Sequence, residues 1–202
     1  MSEHWNVVYS TRSVAERSWS EPVPTVSLEL LDVLGVTSED SVIDIGAGES
    51  EFVGHLLLRG FSDLTVLDLA DAALDVTRER VGYQNVITVQ ADVTAWQPTR
   101  RYDAWHDRAV LHFLSPIDAQ RYATTVRQAL APGGVVVIGV FAPDGPESCS
   151  GLPVNRYSAH DLSALLGEEF DIVTQRQVRH HTPWGSEQSF QWIAARRREY
   201  AL

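Results

Sequence analysis

The sequence predicts an α/β fold, one three-layer domain with helices on both faces of a mostly parallel sheet. Three observations carry this. Short β-branched runs alternate with amphipathic helical segments, the pattern of strand–helix–strand units. The first run leads through Asp44-Ile45-Gly46-Ala47-Gly48 into a helix. The last two runs are joined by a short turn-rich segment with no helix, so they pair antiparallel. A chain of 202 residues suits one domain and can bury a core without a disulfide or metal staple.

The first strand is read at 41–45 and the helix after it at about 50–59, where Phe52, Val53, Leu56 and Leu57 share a face and Gly60 ends it. A strand at 64–68 follows, then a helix capped by Asp71 and running to about Val81, then a strand at 86–89. Tyr102-Asp103-Ala104-Trp105-His106 reads as the fourth strand. Ser115 is the N-cap and Pro116 the first residue of a helix that Pro132-Gly133-Gly134 ends. The most apolar run, Val135 to Val140, is a central strand buried on both faces. Ser158 opens the last helix, with Leu162, Leu165 and Leu166 inward, and strands at 170–173 and 190–194 close the chain around Thr182-Pro183-Trp184-Gly185.

Residues 1–23 do not fit the alternation. They carry Trp5, Tyr9, Arg12 and Trp19 and are read as a flap over the C-terminal edge of the sheet in front of a core of residues 24–202, the alternative being a plain helix covering the core.

Composition narrows the function. Lys and Arg number 16 against 27 Asp and Glu, a formal charge of -11, which opposes a polyanionic partner, so no nucleic acid is expected. Arg196, Arg197 and Arg198 read as a solvated strand end. No apolar run approaches the ~20 residues of a membrane span, so no membrane partner is expected. The N-terminus has no signal-peptide pattern, and the single cysteine, Cys149, fits a reducing compartment, so a cytoplasmic location is expected. The histidines show no zinc-type spacing, and no metal is expected.

The glycine segment has a physical use. Glycines allow a tight turn and close backbone approach to a ligand, and the helix start beyond them offers free N–H groups. The dinucleotide fingerprint would place a third glycine at 51, where this chain has Glu51, which argues against a nicotinamide dehydrogenase. Asp68, at the end of the second strand, can accept the two hydroxyls of a ribose. Asp92, after the third, can meet an adenine amino group.

The set Val42-Ile43-Asp44-Ile45-Gly46-Ala47-Gly48, Val66-Leu67-Asp68, Ala91-Asp92-Val93, Tyr102 to Asp107 and Leu130-Ala131-Pro132-Gly133-Gly134 resembles the class I S-adenosylmethionine-dependent methyltransferases. The resemblance implies a Rossmann-like seven-stranded sheet of order 3-2-1-4-5-7-6 with the last inserted strand antiparallel. It also implies S-adenosylmethionine as cofactor. Carried over, Gly46, Ala47 and Gly48 pack on its methionine part, Asp68 with Leu69 takes the ribose, and Asp92 with Val93 takes adenine. Asp44 acts near the methionine amino group, directly or by ordering the loop, and Asp107 and Arg108 also bind the cofactor. The segments 106–114, 149–154 and 181–185 look like a subfamily of small bacterial methyltransferases. The N-terminal Trp and Tyr pattern also resembles some protein-lysine methyltransferases.

The expected activity is methyl transfer to an O, N or S atom of a small molecule by a monomer or homodimer. A protein-lysine methyltransferase and a non-catalytic cofactor-binding protein in a complex are the alternatives. Catalytic candidates are Asp107, to orient the acceptor or to pair with Arg108; His112, as a base suited to neutral pH or as a packed helix residue; and His181, whose neighbour His180 must point to the opposite face. Arg156, Tyr157 and Trp19 are substrate candidates, and an Arg156–Tyr157 pair that merely ties down the long 142–154 loop is equally compatible.

Overall fold

Each predicted strand forms, in the predicted sequence order. The structure is a computed structural model and describes residues 2–11, 21–48, 51–82 and 86–199. The strands of the main sheet are β1 (Val42–Ile45), β2 (Leu64–Asp68), β3 (Ile87–Gln90), β4 (Tyr102–Arg108), β5 (Leu130–Phe141), β8 (Phe170–His181) and β9 (Glu187–Arg197), and the short pair β6 (Ser148–Cys149) and β7 (Leu152–Pro153) lies in the loop after β5. The seven run in the order β3-β2-β1-β4-β5-β9-β8. This is the expected 3-2-1-4-5-7-6 once the short pair is left out of the count. β9 is antiparallel to both neighbours.

Helices α1 (Ser2–Thr11), α2 (Thr25–Leu34), α3 (Phe52–Leu58), α4 (Asp71–Val81), α5 (Pro116–Ala129) and α6 (Ala159–Leu166) surround the sheet. Alternation along β5 sets two cores. Val135 and Val137 pack with α2 and α3 through Leu31, Phe52 and Leu56. Val136 and Ile138 pack with α5 and α6 through Tyr122, Val126, Leu162 and Leu166.

Several local expectations change. α2 is not anticipated, although Leu28, Leu31 and Leu34 bury one of its faces and the Gly35 N–H closes on the last turn. Asp71 is the first helical residue of α4 rather than its cap; Ala70 holds that position, its N–H taken by Asp68 Oδ1. β5 starts at Leu130, directly after α5, so Pro132-Gly133-Gly134 sits inside an extended segment. β8 and β9 are far longer than expected. β8 is the edge of the sheet, and its outward positions Asp171, Gln175, Gln177 and Arg179 are exposed and polar, so only every second residue shows a core-facing signal. Ser115 and Ser158 cap α5 and α6 as expected. Arg12 and Trp19 lie outside the described residues.

Candidate active site

The strand ends surround a cleft of about 1030 Å³, partly open to solvent, over the C-terminal edge of the sheet. One end is built by β1, β2 and β3. Gly46 and Gly48 turn the chain after β1 with φ of +61° and +52°. A Cβ on Gly46 would run into Val110 Cγ2, and one on Gly48 into the Tyr9 hydroxyl. Gly46→Ala is therefore expected to lower stability by about 2 kcal/mol and to weaken cofactor binding, read by thermal unfolding and calorimetry.

Asp68 stands beside this turn. Its Oδ2 accepts the Gly48 N–H at 3.0 Å and its Oδ1 the Ala70 N–H at 2.8 Å. Burial pushes it up to about 6, against the pull of these N–H donors. Leu69, Asp92 and Val93 line the same end, and Asp92 Oδ1 accepts the Thr94 N–H and hydroxyl. Gly48 and Ala47 are buried below. Asp44 does not line the cleft. Its Oδ1 accepts from His106 Nδ1 at 2.6 Å, and His106 Nε2 meets Ser27 Oγ at 2.8 Å, so the residue orders the base of the loop.

The other end is built by β4, β5, β9 and their loops. Arg108, His112, Phe141, Cys149, Gln188 and Phe190 line it. Trp5 of α1 packs edge-on to Phe113, with ring centroids 5.0 Å apart. The Arg108 guanidinium pairs with Glu21 at 3.0 Å, and His180 Nδ1 bonds the same Glu21 oxygen at 2.9 Å. Burial alone would raise Glu21, but the His180 hydrogen bond and the Arg108 charge hold it below the usual carboxylate range.

The acid and base candidates fall differently from expectation. Asp107 is a buried residue within β4 and does not line the cleft. Its carboxylate accepts the Val110 and Leu111 N–H groups at 2.9 and 3.2 Å and the Tyr122 hydroxyl. It thereby caps the turn that carries His112. Burial pushes it up to about 6 despite these donors, and Arg108 pairs with Glu21 rather than with it. His112 lines the cleft. Burial, with the Arg108 charge nearby, holds it down at about 3. Its Nδ1 accepts from the Phe141 N–H at 3.4 Å, which leaves the hydrogen on Nε2. A neutral imidazole with Nε2–H is a donor, so the base role drawn from its ordinary pKa does not suit it.

His181 is exposed and lies outside the cleft; its neighbour His180 is the one turned inward, since adjacent strand residues face opposite ways. Arg156 pairs with Glu147 at 3.2 Å and reaches the Gly145 carbonyl, so it ties down the loop after β5. Tyr157 packs on the α5–α6 core. Neither lines the cleft. Trp19, the third substrate candidate, lies outside the described residues. Gln188, Phe141 and Phe190 are members of the site that the sequence did not single out. The only signal was that the closing hairpin tip lies on the cleft side.

The site suits a nucleoside with an amino-acid tail. It offers a glycine turn for close approach, an acid at the end of β2 for a diol, and apolar walls at Leu69, Val93 and Leu114 for a flat base. Residues 42–134 match the family described as methyltransferase domain. The matched segment, a little under half of the chain, runs from β1 to the start of β5 and so carries the glycine turn, Asp68 and Asp92. EEF1A lysine methyltransferase 2 of Danio rerio is 26% identical over 118 residues, 54% of this chain and 51% of that protein. The chain thus spans about half the length of that relative.

Many solved structures share the fold, and two illustrate it. One, described for the conversion of a disulfide bond into a thioacetal group during echinomycin biosynthesis, has a TM-score of 0.77 and 23% identity, covering 100% of this chain and 94% of its own. The other is the Burkholderia thailandensis 1,6-didemethyltoxoflavin-N1-methyltransferase with bound 1,6-didemethyltoxoflavin and S-adenosylhomocysteine, at TM-score 0.71 and 22% identity, covering 98% and 84%. Among the described residues no helix is long and apolar enough to cross a membrane, and no three His, Cys, Asp or Glu side chains group as a metal site.

Proposed function

We propose that the protein transfers a methyl group from S-adenosylmethionine to an O, N or S atom of a small molecule. The observation that carries this reading is the character of the cleft's second end. Trp5, Phe113, Phe141 and Phe190 wall it with rings, and α1 lies across its mouth. Among the described residues the acids in the lining are Asp68, Asp92 and Asp118, on or beside β2, β3 and the start of α5, and none comes from β5 or β9. Glu21, the carboxylate beside this end, is already held by Arg108 and His180, so a lysine ammonium finds no spare acid there among the described residues, and the activity named for the Danio rerio relative is the less favoured reading.

When bound, S-adenosylmethionine supplies an electrophilic methyl group on a sulfonium. The residues of this chain bind and orient. Gly46, Asp68 and Asp92 hold the cofactor, the ring walls exclude water, and His112 donates a hydrogen bond without taking a proton. Calorimetry with S-adenosylmethionine, S-adenosylhomocysteine and NADH tests the cofactor, and release of S-adenosylhomocysteine during a screen of small acceptors and of lysine peptides tests the acceptor. Micromolar binding of the sulfur ligands, none of NADH, and turnover on small molecules is expected. Turnover on peptides alone would overturn the small-molecule reading.

α1 serves here as a lid on the glycine turn, through Tyr9 against Gly48 and the Ser2 hydroxyl donating to the Leu69 carbonyl at 3.3 Å. Tyr9→Ala is expected to weaken S-adenosylhomocysteine binding about tenfold, mainly through faster release in stopped-flow measurements.

A further inference from the structure

Among the neutral side chains of the cleft lining, two buried polar atoms have no hydrogen-bond partner among the described residues: His112 Nε2 and Gln188 Oε1. Buried donors and acceptors in proteins are almost always answered, so two unanswered in one cleft point to a ligand that answers them. They are of opposite kind. The Phe141 N–H occupies His112 Nδ1, so His112 presents a donor. The Gln188 amide oxygen presents an acceptor. Among the described residues the rest of this end is ring surface and the Cys149 thiol, and the Arg108 guanidinium there is matched by Glu21.

From this we infer that the β4–β5–β9 end of the cleft binds an uncharged, flat molecule carrying a hydrogen-bond acceptor for His112 Nε2–H and a hydrogen-bond donor for Gln188 Oε1, as a cyclic amide fused to an aromatic ring does. This substrate class rests on the methyltransferase reading. Flatness follows from the ring walls, which favour stacked and edge-on contact. Absence of charge follows from the matched Arg108 and from the acids' position at the other end. A substrate lacking one polar group would leave a buried partner unmet, which is how such a site selects.

The test is calorimetry with saturating S-adenosylhomocysteine, using quinolin-2(1H)-one, its N-methyl derivative and naphthalene as probes. The wild type is expected to bind the lactam about tenfold or more tighter than either control. Gln188→Leu is expected to bring the lactam down to the affinity of its N-methyl derivative, and His112→Phe to weaken it by about tenfold with the Gln188 contact remaining. S-adenosylhomocysteine affinity should stay within about threefold in both. Gln188 is only half-buried at the start of β9, so that variant decides the matter even where His112→Phe fails to fold. Equal binding of the three probes, no probe binding, or a preference that survives Gln188→Leu overturns this inference alone. Failure of the wild type to bind S-adenosylhomocysteine overturns the methyltransferase reading and this inference with it.

Discussion

Asp68→Ala is expected to weaken S-adenosylhomocysteine binding by about 100-fold or more, a loss of ~2.7 kcal/mol. The carboxylate does two things at once. It accepts the Gly48 and Ala70 N–H groups and so fixes the glycine turn against the start of α4. Its remaining lone pairs are the ones proposed to take the ribose hydroxyls. Asp68→Asn separates the roles, since the amide oxygen still accepts while its NH2 cannot, and about a tenfold loss is expected there. The pH dependence follows from burial, which pushes Asp68 up to about 6. Below that pH the empty protein carries a protonated, poorer acceptor. Affinity should be flat above pH 7 and fall below 6, by up to about tenfold per pH unit, and Asp68→Asn should abolish the dependence. Stability of the unliganded protein responds with the opposite sign. Its folded pKa is raised, so the contribution is present below the unfolded value and is lost as pH rises through 6. His112, held down at about 3, opposes this by losing stability as pH falls below its ordinary range. An affinity unchanged between pH 7 and 5 would show that the Asp68 carboxylate does not contact the cofactor.

The parts of this site that were legible in the sequence are those written in backbone demands and strand ends. Gly46 and Gly48 take positive φ, and Asp68 and Asp92 follow β2 and β3 at the cleft, features that local spacing alone can indicate. Alternation gave the parallel sheet and the turn-rich joining segment its antiparallel closing pair, while the strand order came with the family resemblance. What spacing cannot show is which way a side chain finally faces and what surrounds it. Asp107 sits where an orienting acid would sit, but α5 brings Tyr122 and the next turn brings two N–H groups to occupy it. His112 reads as a base only while its burial and its bond to Phe141 are unknown. Gln188 carries no local signal, because it reaches the cleft by way of β9 inserting next to β5. The length of β8 was hidden for another reason: an edge strand with one polar face resembles a loop in composition.

Asp44→Ala is expected to cost about 3 kcal/mol of stability, a fall in Tm of roughly 6–12 °C for a chain of this size. Asp44, His106 and Ser27 form a buried chain of hydrogen bonds at 2.6 and 2.8 Å that joins β1, β4 and α2. Phe52 stacks on the His106 ring at 3.9 Å between centroids, which excludes water from the bond. Removing the carboxylate leaves the His106 N–H buried with no acceptor, and that unmet donor, more than the bond itself, sets the loss. Asp44→Asn keeps one acceptor and should cost about 1 kcal/mol. His106→Phe in the Asp44→Ala background should then recover part of the loss, because phenylalanine needs no partner and still stacks on Phe52. The cycle is expected to give a coupling of about 1.5 kcal/mol, read by denaturant unfolding. A coupling near zero would mean that the two residues act only as separate core side chains. Because Asp44 precedes Gly46 by two positions, a loosened β1 end also loosens the glycine turn. S-adenosylhomocysteine affinity should therefore fall in Asp44→Ala and recover in step with stability in the double variant, whereas affinity lost in both would place Asp44 against the ligand itself through Oδ2, which has no partner among the described residues.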